Sequence, residues 1–190
     1  MSASLYDGLL FLINIFFDLY LLVLMIRVLL AWANANYFDP ITQFVVKLTD
    51  FIVKPVRRII PNVRGIEVST LVIILVLEIV KFLCISLLST GMPSIIGLVL
   101  LSIADMFKLL IQCFFYGILL QAILSWVQPH SPVNFLLYQV TSPVMRPFQR
   151  VIPPIGGIDI SPIAALIFLQ FIIIVLINPL MAMAIGIAFG

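Results

Sequence analysis

Six charged side chains interrupt the apolar stretches of this chain: Asp18, Arg27, Glu78, Lys81, Asp105 and Lys108. A charge at the centre of a bilayer costs on the order of 2.5 to 3.5 kcal/mol on insertion scales, so each needs a partner or a route to water. Glu78 with Lys81, and Asp105 with Lys108, stand at i, i+3, where the members of each pair neutralise each other on one helical face. Arg27 and Lys108 stand near enough to the ends of apolar runs to snorkel. Asp18 has no local partner; with Asn14 one turn earlier it makes a polar face expected to meet another helix, at Lys81 or Lys108. Two chemistries follow from such residues: a buried polar staple between helices, or a path for ions or protons.

The remaining reactive side chains suggest no catalysis. His130 is the one histidine and lies between prolines without a thiol or carboxylate cluster, so neither a metal site nor a catalytic triad is expected. Cys84 and Cys113 lie inside apolar runs without CxxC spacing and read as small core residues. No enzyme activity and no cofactor are expected. Nucleic acid is not an expected partner either, since the loop cations come without a soluble fold or stacking aromatics.

The composition places these residues in lipid. Hydrophobic residues make up 64% and charged residues 9% of the 190 positions, and the mean hydropathy is +1.29, far too apolar for a water-exposed surface. Spanning helices of about 20 apolar residues each fit at 9–32, 69–88, 107–126 and 161–181. The first run ends in a sequence resembling a signal-peptide cleavage site, but it is too long and lacks leading cations, and it reads as a retained helix. Residues 94–104 are too short to cross and read as a hairpin arm or an extension of the third helix. Trp32 and Trp126 end their spans, as interfacial aromatics do. Lys47, Lys54, Arg57, Arg58 and Arg64 in one loop, and Arg146 and Arg150 in another, put both loops in the cytoplasm by the positive-inside rule, with both termini outside.

The chain repeats itself. From Pro40 and Pro132, the text "PITQFVVKLTDFIVKPVRRIIPNVRGIEVS" aligns without a gap to "PVNFLLYQVTSPVMRPFQRVIPPIGGIDIS", with identities at Pro40, Thr49, Pro55, Arg58, Ile60, Pro61, Gly65, Ile66 and Ser69. Upstream, Trp32 matches Trp126 with two fewer loop residues in the second copy. Each half, 1–93 and 94–190, is therefore helix, loop, helix. An even number of crossings makes the two copies parallel rather than inverted. The fold expected is an all-α membrane protein with about four spans in two parallel repeats.

Apolar residues in the loops fall at Ile41, Phe44, Val45, Leu48, Ile52 and Val56, and at the corresponding positions of the second copy, with the 3,4 spacing of one helical face. A helix of this kind lies in the headgroup layer, with Lys54, Arg57, Arg58, Arg146 and Arg150 meeting anionic lipid at about 1 kcal/mol each. Pro55 and Pro147 predict a kink or two shorter pieces. Pro61 and Pro153 end the helix, then Gly65 with Glu67, or Gly156 and Gly157 with Asp159, turns the chain into a span N-capped by Ser69 or Ser161.

"MIRVLLAWANANYFDPITQFVVKLTDFIVKPVRRIIP" followed by "GIEVS", and "AILSWVQPHSPVNFLLYQVTSPVMRPFQRVIPPIGGIDISP", resemble the two modules of the YggT family of bacterial integral membrane proteins over nearly the whole chain. The first copy departs from the turn pattern at Arg64, Glu67 and Thr70, which makes the second copy the expected binder if the turn binds anything. The resemblance implies an inner-membrane protein connected with osmotic or salt stress and ion uptake. It supports two expectations: a non-enzymatic scaffold or assembly factor, or a potassium or sodium transporter or channel component built as an oligomer. Candidate partners are anionic lipid headgroups, a cytoplasmic or membrane protein, and further copies of the chain.

Overall fold

The computed structural model describes residues 3–63, 65–89, 92–152 and 159–189; Arg64, Pro153, Gly156 and Gly157 lie outside them. In lipid every backbone polar group must be satisfied within the chain, and the apolar runs answer with helices. These are α1 (Ala3–Trp32), α2 (Pro40–Arg57), α3 (Val68–Ser89), α4 (Ile95–Val127), α5 (Pro132–Val151), α6 (Ser161–Ile172) and α7 (Asn178–Phe189). Four stretches are long and apolar enough to cross a membrane: Leu5–Trp32, Val68–Leu88, Ile95–Val127 and Ser161–Phe189.

The segment 94–104 extends the third spanning helix. Ser94 caps α4 by accepting from the Gly97 N–H. It also donates its own N–H to the Ala188 carbonyl at 2.9 Å and its Oγ to the Ile187 carbonyl at 2.6 Å, so the added turns lie against the end of α7. Within the fourth span, a π-helical turn at Ile173–Ile177 separates α6 from α7. Pro179 follows one residue later, after Asn178; its ring would collide with the carbonyl four residues back, and the wider turn makes room for it.

α1 and α3 run antiparallel, since Arg27 meets Glu67 and Asp18 meets Lys81. Leu21, Leu24, Met25 and Val28 of α1 form one core with Ile73 and Ile74 of α3 and Val53 of α2. Ile118 of α4, Met145 of α5 and Ala165 and Leu169 of α6 form its counterpart in the second half. Leu30, Val45 and Leu136 join the halves, helped by Gln139 Nε2, which donates to the Ala33 carbonyl at 2.8 Å.

α2 and α5 begin alike. Asp39 and Ser131 are the N-caps, each followed by a proline at the first helical position, where a missing N–H costs nothing. α2 then folds back along α1: Val45 clusters with Leu30, Thr49 and Asp50 reach Arg27, and the Phe51 ring lies 6.1 Å from that of Tyr20. Of the two outcomes expected at the prolines, division into two pieces does not occur. Pro55 falls in the last turn of α2, and α5 runs through Pro143 and Pro147, with Val144, Met145 and Phe148 packed on the second core. Nor do the serines cap: Ser69 is the second residue of α3, and Ser161 is itself the first residue of α6, bonded to Asp159.

A Cβ at Gly97 would collide with the backbone nitrogen of Ala188, whereas one at Gly186 would meet nothing within 4 Å. Gly97→Ala is therefore expected to lower the melting temperature of the purified protein, at a cost of about 1–3 kcal/mol for overpacking, while Gly186→Ala, a better helix former in open space, does not lower it.

Candidate functional site

The charged side chains gather in two places. The first is Arg27. It does not snorkel: it is buried, 4% exposed, because α2 brings acceptors to it. Its Nε donates to Glu67 at 2.7 Å, and its Nη1 to Thr49 Oγ1 at 2.7 Å and to Asp50 at 2.9 Å. Glu67, buried just ahead of α3, also accepts from Thr70 at 2.8 Å and lies 3.7 Å from Arg57. Asp50 meets Lys54 at 2.9 Å. Burial alone would raise the Asp50 pKa, but the hydrogen bonds from Lys54 and Arg27 outweigh it and hold the carboxyl below its ordinary value.

The second module rebuilds part of this arrangement without the arginine. The shift that aligns Trp32 with Trp126 also aligns Arg27 with Gln121. Gln121 accepts from Thr141, the partner of Thr49 in the repeat. Gln149 and Asp159 are bonded at 3.1 Å, where Arg57 and Glu67 stand in the first copy. Asp159 accepts the Ser161 N–H at 2.9 Å and the Ser161 hydroxyl. Burial again opposes these bonds and loses, so its carboxyl is also held below the ordinary range. A cleft opens beside each arrangement, about 280 Å³ next to Arg27 and about 1300 Å³ next to Gln121.

With their network side satisfied, α2 and α5 leave Lys54, Arg57, Arg58, Arg146 and Arg150 exposed. Phe44, Leu48 and Phe51 also point outward, at 65%, 41% and 68% exposure, while Val45, Thr49 and Val53 face the bundle. Pro61 is exposed on the connection, which closes through mutual backbone bonds between Val63 and Ile66. Gly65 sits in that turn at φ +83°, a left-handed conformation that side chains resist.

The second gathering is around Lys81, between α1, α3 and α4. Its Nζ lies 2.7 Å from Glu78, 2.7 Å from Asp105 and 3.2 Å from Asp18. The contact expected of Asp18 is therefore made, and the Glu78–Lys81 pair forms as expected. The Asp105–Lys108 pair does not: Asp105 reaches across to Lys81, and Lys108 makes no ion pair among the described residues. Proximity along a helix lost to a better-placed ammonium on the neighbouring one. A cleft of about 630 Å³ opens here, lined by Asn14, Asp18, Lys81, Asp105, Lys108 and Gln112.

Thr49, Asp50, Gln121 and Thr141 hold these two arrangements together without standing out in the sequence as candidate site residues, although the Thr49–Thr141 identity and the Arg27–Gln121 register carry the signal.

Comparison with known proteins agrees with the internal duplication. The family model described as CCB3/YggT matches residues 6–88 and 100–180. A Vibrio alginolyticus protein, named only as uncharacterized in the proC 3′ region, is 39% identical over 164 residues, 85% of this chain and 89% of its own. The uncharacterized protein YggT of Escherichia coli K12 is 36% identical over 163 residues, 85% of each chain. The Guillardia theta protein ycf19, also uncharacterized, is 32% identical over 71 residues, 36% of this chain and 78% of its own. No solved structure matches.

Arg27→Leu would strand Asp50 and Glu67, and a loss of about 3–5 kcal/mol is expected for breaking a buried pair; Arg57→Ala, at a half-exposed position, should cost at most about 1 kcal/mol. Thermal unfolding in detergent distinguishes the two. A carboxyl with a depressed folded pKa stabilises fully above its unfolded value, about 3.9, and loses that contribution as pH falls through the folded one. The protection of α2 against hydrogen exchange, referred to the intrinsic rate at each pH, should accordingly be flat from neutral pH to about 5 and fall below about 4.

Proposed function

The chain belongs to the CCB3/YggT family, and from that membership and the geometry above we propose that it is a non-enzymatic scaffold or assembly factor of the bacterial inner membrane. Its surface is the pair of fold-back helices α2 and α5, facing the cytoplasm, which recruits a protein partner beside anionic headgroups. The observation that carries this reading is the division of labour among the charges. Arg27 and its counterpart Gln121 are consumed in fixing the helices, while Arg58 and Arg150, identical in the repeat, are left exposed. Fixed helices with exposed guanidinium groups suit recognition of carboxylates and phosphates, which the planar, permanently charged fork binds bidentately. Protection against osmotic or salt stress follows as the consequence of an assembly that fails without its platform.

A second reading has its own observation: the cleft beside Lys81 holds Asp18, Glu78 and Asp105 between spanning helices. Ionisable groups there mark ion and proton pathways in many membrane proteins, and an ion transporter component would be built around them.

Photo-crosslinking residues placed at Arg58 and Arg150 in the full-length protein in its own membrane are expected to trap one shared protein partner. A control at the lipid-facing Phe16, 72% exposed, should trap none. Equal trapping at all three sites would remove the scaffold reading. Potassium or sodium flux through the protein in liposomes, abolished by Asp18→Asn, would establish the transport reading instead.

A further inference from the structure

The cleft beside Lys81 is unfinished. Asp18 lies near the middle of the first spanning helix, yet its side chain is 59% exposed, and it shares the single ammonium of Lys81 with two closer carboxylates. A partly shared charge turned outward at that depth is costly. On the opposite wall Lys108 makes no ion pair among the described residues, and Gln112 and Tyr116 continue its row at successive turns of α4. One mouth thus displays an acid short of a cation and a cation short of an acid.

We propose that this face is an intramembrane interface between two copies of the chain, in which Asp18 of each copy pairs with Lys108 of the other. Charge complementarity selects a second copy over an unrelated helix. A two-fold axis brings one patch against itself, so that residue i meets j and j meets i. A patch carrying one acid that only shares its cation and one cation without an ion pair among the described residues is self-complementary under that operation, whereas a foreign helix would have to supply both signs at matched spacing. The interface lies on α1 and α4, away from Arg58 and Arg150, so it stands whichever function the protein performs.

The test is association of the full-length protein in lipid vesicles of fixed composition, read by single-molecule photobleaching over a dilution series. Wild-type protein is expected to show pairs. Asp18→Lys alone sets two ammonium groups against each other across the axis, and Lys108→Asp alone sets two acids together, so each should associate at least tenfold more weakly. Mixing the two variant chains restores opposite charges across the axis and should return association to near the wild-type level, as should the double variant. A contact within one chain would be rescued by the double variant and not by mixing, and that result overturns the proposal. Wild-type protein that stays monomeric at every dilution overturns it without reference to any variant.

Discussion

A guanidinium among spanning helices has few options, and Arg27 has taken the one that organises its half of the molecule. It cannot lose its charge, and leaving it unpaired in hydrocarbon costs several kcal/mol. The chain answers by folding α2 back along α1 until Thr49 and Asp50 come within 2.9 Å, and by placing Glu67 on the other side. This fixes the rotation of α2. The row turned to the bundle is Thr42, Val45, Thr49 and Val53, while Phe44 and Phe51 are left outward. In water burial of the phenylalanines would have decided the rotation; against lipid the aromatic rings have little to gain inside, and the hydrogen bonds decide.

The second module keeps the contact to the threonine and discards the arginine, while Asp159 keeps its carboxylate and is held by Gln149 and Ser161. Gln121 and Thr141 are neutral, so no counter-ion is needed, and Ser142 stands where Asp50 does in the first copy. The same backbone arrangement is thus held once by ion pairs and once by ordinary hydrogen bonds. It follows that the fold-back position of the helix is a property of the module, with two interchangeable chemistries to secure it.

How much of this the residues announce varies with the physics involved. Span positions and the duplication are legible because apolar length and identity at a fixed shift are local signals. The contact of Asp18 with Lys81 is foreseeable, since a mid-span charge must find another. Arg27 is misjudged as a snorkelling residue, because snorkelling is judged from depth alone while burial depends on what α2 delivers. The Asp105–Lys108 spacing misleads for a related reason: an i, i+3 pair is worth only tenths of a kcal/mol, too little to hold Asp105 when Lys81 is within reach. The prolines overstate the breaks, since packing on a neighbouring helix can hold a turn that has lost one hydrogen bond.

The clasp between Ser94 and the end of α7 ties the start of the third span to the far end of the fourth. A ribosome reaches Ser94 long before it reaches Ile187 and Ala188. During synthesis the first turns of α4 therefore wait with an unclaimed N–H, an unclaimed hydroxyl and the bare surface of Gly97. This clasp can close only when α7 has been delivered, so the first turns of the third span are the part of the bundle that must wait longest for their partner.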